Sequence, residues 1–316
     1  MASIGESERT EPVGRSTGSF TWARPRVGAS AWEPYLYLLP ALLIFTAFLA
    51  VPLAGTVALS LTDWDGFASL SDTAVVGVDN YADAARDPLF RQAAGHNLLL
   101  IPYYVVLPAA LGLCLAVLIQ GLRLRWAALF RVGLFLPYVM PGVLIGVVWR
   151  WLLNPVFGPV NDLLGRLGLP TRTWLGDFTW ALPTVGLIGA WAAYGFCYVV
   201  FLAGLQKIPT ELYEAARLDG AGPLNEFFAV TLPGLRRELA VVASVNLINA
   251  LRAFDVIQAT TQGGPGRETT VVALYTIESA FAINRVGYGA ALAVILTVAT
   301  LVLSLVALRL IGGLDD

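Results

Sequence analysis

An all-α integral membrane protein, with six transmembrane helices and one large polar cytoplasmic loop, is predicted by three features of the sequence. Apolar residues fill 57% of its 316 positions and charged residues only 13%, about half the charged share of soluble domains. The apolar residues gather in runs long enough to cross roughly 30 Å of hydrocarbon as helices of about 20 residues. Between two of these runs stands a charged island, Lys207 to Leu239.

In chain order, residues 1–31 are polar and carry Arg9, Arg15, Arg24 and Arg26, which predicts a disordered, solvated cytoplasmic tail. Residues 32–316 form the transmembrane domain, with spans at about 35–61, 97–120, 129–152, 180–205, 239–260 and 288–310, and the cytoplasmic loop at 207–238. Pro40 and Pro52 are expected to kink the first span. The third holds Pro137 and Pro141-Gly142; such prolines free backbone carbonyls that neighbours or a wet cavity must satisfy, which suggests a helix lining a pathway. The fifth is unusually polar, with Ser244, Asn246, Asn249, Arg252 and Asp255. The segment 269–287 is expected to form a short interfacial helix.

Charge sets the orientation. With both termini inside, the inner segments hold twelve Lys and Arg and the outer segments seven, and the excess of positive charge inside places the loop in the cytoplasm. The net charge of -2 argues against a nucleic-acid partner. Cys114 and Cys197 lie in apolar runs and are expected to be reduced packing residues. His96 is the only histidine, which leaves no histidine cluster for a metal or for catalysis; beside Asn97 it suits a hydrogen-bonding role.

Within the loop, Thr210 is the expected N-cap of a short helix whose first turn holds Glu211. Leu212, Ala215, Ala216 and Leu218 make its apolar, small-residue face. Asp219-Gly220-Ala221-Gly222 ends the helix, with Asp219 a candidate local cap, and Pro223 opens a second helix that Leu232-Pro233 is expected to interrupt. In the fifth span, Asn246, Asn249, Ala250 and Ala253 recur at three- and four-residue spacing. Asparagines near aromatic rings suit a neutral polyhydroxyl solute, whose hydroxyls need both donors and acceptors. Arg252 and Asp255 stand three apart, so they are equally candidates for pairing with each other and for meeting solute.

Glu214-Ala215-Ala216, three residues, Gly220, nine residues, then Val230-Thr231-Leu232-Pro233 resembles the EAA loop of permease subunits in binding-protein-dependent ABC sugar importers, with only Val230 in place of the usual Ile. The wider string Pro209 to Gly222 is similar to the maltose and glycerol-3-phosphate type. Val76 to Tyr81 resembles that family's outer F-x-G-x-x-N-Y element, and Thr261 to Pro265 its T-x-G-G-P element. The resemblance implies the type I permease fold of ABC importers. It makes Glu214, Ala215, Ala216, Asp219, Gly220, Leu232 and Pro233 the surface that docks on a cytoplasmic ATPase. It implies as partners a second permease subunit, an ATPase dimer, an extracytoplasmic solute-binding protein and membrane lipid. It places the chain in the plasma (inner) membrane, multi-pass, importing a carbohydrate by alternating access. The chain has no nucleotide motif and no cofactor of its own, so ATP and Mg belong to the ATPase, and the chain is no enzyme. Pathway positions implied by the resemblance are Gly142; Gly189, Ala192, Ala193 and Phe196; and Asn246, Ala250 and Ala253. Several of these are small here, so selectivity can rest with the partner permease or the binding protein. An ion-coupled secondary transporter, or a permease for glycerol phosphate or another non-sugar solute, is the alternative; the former needs acids within the spans, where Asp255 is the clear one.

Overall fold

The computed structural model describes residues 32–69, 71–120 and 127–312. The predicted tail and Arg123 and Arg125 lie outside the described residues. Among those described, the only extended pairing is an isolated antiparallel bridge between Thr62 and Val75, and everything else regular is helical. By internal contacts the chain divides into two units, at Pro52. The first holds most of helix α1 (Tyr35–Leu59), apolar along its whole length. The second holds all that follows.

Four described helices are long and apolar enough to cross a membrane: α1, α3 (Pro88–Gln120), α7 (Ala181–Leu205) and α13 (Val286–Gly312). The bent pair α4 (Ala127–Val139) and α5 (Gly142–Leu152), which meet at 97°, is apolar enough to be a fifth candidate only if the two are taken as one span. The single span expected over 129–152 is therefore broken. Met140 precedes Pro141, whose ring disfavours helical backbone at that position, and Pro141 itself is extended at ψ 138°. The fifth predicted span, 239–260, is also not one helix. Helix α10 (Arg236–Leu251) stops, Arg252 to Phe254 turn, and α11 (Asp255–Thr260) restarts. The second span begins earlier than expected, at Pro88, because Asp87 caps it by accepting a hydrogen bond from the Leu89 amide at 2.8 Å. Short helices α2 (Asp79–Arg86), α6 (Pro159–Arg166) and α12 (Val272–Ala282) complete the connecting segments, the last where an interfacial helix was expected.

Proline leaves a repeated local mark. At Pro52, Pro108 and Pro233 the residue before the proline donates its amide five residues back, to Thr46, Pro102 and Phe227 respectively, and so closes a π turn. A proline cannot donate to the carbonyl four residues back and its ring crowds that carbonyl, so widening the turn relieves both problems without breaking the helix.

Helix α7 is the most buried of the long helices. Lipid tails are as apolar as leucine, so helices in a membrane associate by close packing rather than by burial from water. Small residues provide that closeness. A Cβ on Gly146 would stand 2.5 Å from the Cβ of Ala259, and one on Gly189 would stand 2.3 Å from the ring of Tyr104. Two packed clusters result. One surrounds Leu100, Tyr104, Ile145, Ile188 and Ile257; the other, toward the 207–238 loop, surrounds Cys197, Tyr198, Phe201, Leu205 and Leu235.

The Asn80-Tyr81 pair has a structural task. Asn80 donates to the carbonyls of Ser60 and Thr62 at 3.0 and 2.8 Å, and the Tyr81 hydroxyl meets that of Ser60 at 2.6 Å. These bonds satisfy orphan carbonyls at the end of α1. Both described cysteines are free, Cys197 buried and Cys114 exposed.

Candidate functional site

Two features stand out, a cavity within the helices and the exposed loop at one end of α7 and α10.

The cavity has a volume of about 640 Å³, within the range of small-molecule sites. It exists because α10 stops short. The Leu251 carbonyl would be orphaned there, and the Ala250 carbonyl would keep only a long bond from the Ala253 amide at 3.4 Å. The Asn97 amide donates to both at 3.0 Å and its oxygen accepts the Val272 amide at 2.9 Å, so one buried side chain joins α3, the end of α10 and the start of α12. Next to it the His96 ring bonds the Thr270 carbonyl at 2.8 Å. The turn released by Asn97 carries Arg252 to Asp255 into the cavity wall. The α4–α5 bend, from Tyr138 to Gly142, packs against this turn and lines the cavity as well.

Of the predicted pathway residues, Gly142, Gly189, Ala192, Ala193, Asn249 and Ala253 line this cavity. Asn246, Ala250 and Phe196 do not. Asn246 and Ala250 are fully buried. Their stripe on α10 is wide enough that one edge, Asn249, faces the cavity while the other edge packs into the protein. Asn246 donates to the Cys197 sulfur at 3.2 Å. Phe196 stacks at 5.2 Å behind Tyr138, which does reach the cavity, so it supports the wall rather than forming it. Tyr104 lines the cavity and was not among the sequence candidates. Its only signal was its place between Pro102 and Pro108, in the π turn. No ion pair joins Arg252 to Asp255, so the pairing considered from sequence is not formed.

The loop holds α8 (Thr210–Leu218), then α9 (Pro223–Glu226), a π turn and a final turn at Leu232–Gly234. Pro209, not Thr210, occupies the N-cap of α8, and no side chain caps it. Pro233 does not interrupt the second helix; the π turn accommodates it, and the helix ends a residue later. Asp219 does not cap through its side chain. The end of α8 is closed by backbone instead: the Gly220 amide bonds the Arg217 carbonyl at 3.0 Å and the Ala221 amide bonds that of Ala216 at 2.9 Å. This pairing requires a left-handed residue, and Gly220 has φ +84°.

Three polar ties hold the loop in one shape. Arg217 forks onto Glu226 at 2.8 and 3.1 Å, Lys207 bonds Glu238 at 2.9 Å, and the Tyr213 and Thr231 hydroxyls meet at 3.1 Å. Hydrogen bonds from Arg217 hold the Glu226 carboxyl below the usual carboxylate range. Glu214 and Ala215 are exposed, as are the large apolar side chains Leu212, Leu218, Leu224 and Phe228. Leu218 is 89% exposed, which water does not favour unless another surface covers it.

The sequence profile described as "Binding-protein-dependent transport system inner membrane component" matches residues 98–316. The chain is 36% identical to the probable ABC transporter permease protein YurN of Bacillus subtilis, over 87% of this chain and 94% of that protein. It is 33% identical to the diacetylchitobiose uptake system permease protein NgcF of Streptomyces coelicolor, over 97% of this chain and 90% of the relative. Its fold matches a chain in the crystal structure of a bacterial ABC transporter involved in alginate import with a TM-score of 0.76, at 24% identity over 90% of this chain and 96% of that one. With an apolar helical scaffold, a cavity within it and these matches, the chain belongs to the family of inner membrane components of binding-protein-dependent transport systems.

Proposed function

We propose that this chain is one permease subunit of an ATP-driven importer, and that it moves a carbohydrate across the plasma membrane by alternating access. The observation that carries the mechanism is that the exposed loop is the direct continuation of two helices that also wall the cavity, α7 in mid-helix and α10 near its far end. Gly189 and Leu205 lie sixteen residues apart on α7, about 24 Å along a helix axis. A displacement of the loop is thus carried by rigid helices to Gly189 and Asn249. The carbohydrate assignment is supported by the similarity to a diacetylchitobiose permease along nearly the whole chain.

On this account the chain crosses the membrane six times, α10–α11 being the sixth crossing, with both termini and the 207–238 loop in the cytoplasm. Glu214, Ala215, Ala216, Asp219, Gly220, Leu232 and Pro233 form the docking surface for an ATPase that binds ATP and Mg. The exposed apolar side chains beside them, Leu212, Leu218 and Leu224, are the area a partner would cover. Glu214 is available for a charge-assisted bond to an arginine of that partner. ATP draws two such loops together and the cavity opens outward to receive solute from a binding protein. ATP and the loaded binding protein must each favour the outward state over the inward one, because a ligand shifts an equilibrium only by its differential affinity.

The test is co-expression with the genes adjoining it, purification of the assembly, and uptake of labelled sugars into proteoliposomes. Accumulation that needs ATP inside and binding protein outside is expected. Uptake by the isolated chain without ATP would overturn the proposal.

A further inference from the structure

Among the described residues, Arg252 and Asp255 are the only charged ones on the cavity wall. Both are exposed, and neither makes an ion pair or a side-chain hydrogen bond with another described residue. Full charges within a membrane span are costly unless they are paired or face water or a ligand. Their placement is built. Arg252 caps the C-terminal end of α10, where a cation is favoured. Asp255 lies against Gly142: a Cβ there would stand 2.8 Å from the Asp255 Cβ and 3.1 Å from its Oδ2. The missing side chain at the α4–α5 bend is what leaves room for the carboxylate.

We propose that Arg252 and Asp255 together select the solute, and that they select a neutral carbohydrate; this rests on the importer function above. The carboxylate accepts hydrogen bonds from sugar hydroxyls, the guanidinium donates to hydroxyl or acyl oxygens, and the half-exposed Tyr138 ring offers an apolar face beside them. One cation and one anion make the wall neutral. An acidic sugar that paired with Arg252 would bring its charge toward Asp255 and lose there what it gained.

The experiment uses the whole assembly with its partner permease and ATPase. Binding of maltose, diacetylchitobiose and digalacturonate to the detergent-solubilised assembly is read by saturation-transfer NMR without binding protein, beside uptake of the two neutral sugars into proteoliposomes with binding protein. Wild type is expected to bind and import at least one neutral sugar and not to bind digalacturonate. Asp255→Asn and Arg252→Gln should each weaken neutral-sugar binding about tenfold, the equivalent of one charge-assisted hydrogen bond. Asp255→Asn should in addition gain a digalacturonate signal, which a folding defect cannot produce. Unchanged neutral-sugar binding in both variants, equal digalacturonate binding by wild type, or no neutral-sugar signal from an assembly that imports sugar would each overturn the assignment and leave the importer function standing. Failure of the wild-type assembly to import any carbohydrate would overturn both.

Discussion

Asn97 satisfies three backbone groups with one amide, and those groups are what let α10 end inside the protein. Removing it leaves the Leu251 carbonyl and the Val272 amide unpaired, at about 1–3 kcal/mol each. Asn97→Ala is therefore expected to lower the thermal midpoint of the purified protein by several degrees, and an unchanged midpoint would show that water or a local shift replaces it. Gly220 is a different case. An added Cβ would meet nothing within 4 Å, so only its φ of +84° resists substitution. Gly220→Val is expected to abolish coupled uptake while Gly220→Asn, which tolerates that conformation, retains most of it; equal activity of the two would remove the turn from the account. Asp87 adds a pH dependence at the opposite end. Burial opposes its ionisation, but the Tyr275 and Tyr288 hydroxyls, at 2.6 and 2.7 Å, and the amides of Leu89 and Phe90 outweigh it and hold the carboxyl below its ordinary value. A depressed folded-state pKa contributes stability that is present above the unfolded value of about 3.9 and is lost as pH falls through the folded one. The thermal midpoint should thus drop in acid below about pH 4, and Asp87→Asn should flatten that drop. At this scale the sequence made Gly142, Asn249 and Ala253 visible through proline and helical spacing. It did not separate Asn246 from Asn249, because spacing marks a stripe and only packing decides which edge faces a cavity.

Elements were legible in type and much less so in continuity. Composition located the apolar runs, and the prolines marked where they deform. Whether a proline widens a turn, as before Pro108, or ends a helix, as at Pro141, depends on what the freed carbonyls find nearby. The break after Leu251 had no local signal at all, since the group that satisfies it is Asn97, some 150 positions earlier. Close contact between α5 and α11 rests on Gly142 and Gly146, four apart on one face, against Asp255 and Ala259. Gly146→Leu should force these helices apart at a cost of about 1–3 kcal/mol, as overpacked cores do. Its yield and thermal midpoint should fall well below those of an exposed control such as Val147→Leu, and matched values would mean that the two helices do not need this approach.

For the whole molecule, the proposed function makes α7 and α10 levers that join the loop to the cavity wall. The loop offers a stiff, partly apolar surface, and the cavity a largely apolar wall that carries one cation and one anion. In the proposed importer, ATP hydrolysis on a partner is coupled to solute movement through the loop. The most direct measurement is the ratio of sugar accumulated to ATP hydrolysed in proteoliposomes holding the full assembly, with wild-type loop and with Glu214→Ala. Wild type should couple the two, with hydrolysis stimulated by loaded binding protein. Glu214→Ala should lose most uptake and most stimulated hydrolysis together. Normal coupling in a variant whose loop surface has been altered at Glu214, Leu218 and Gly220 at once would contradict the account.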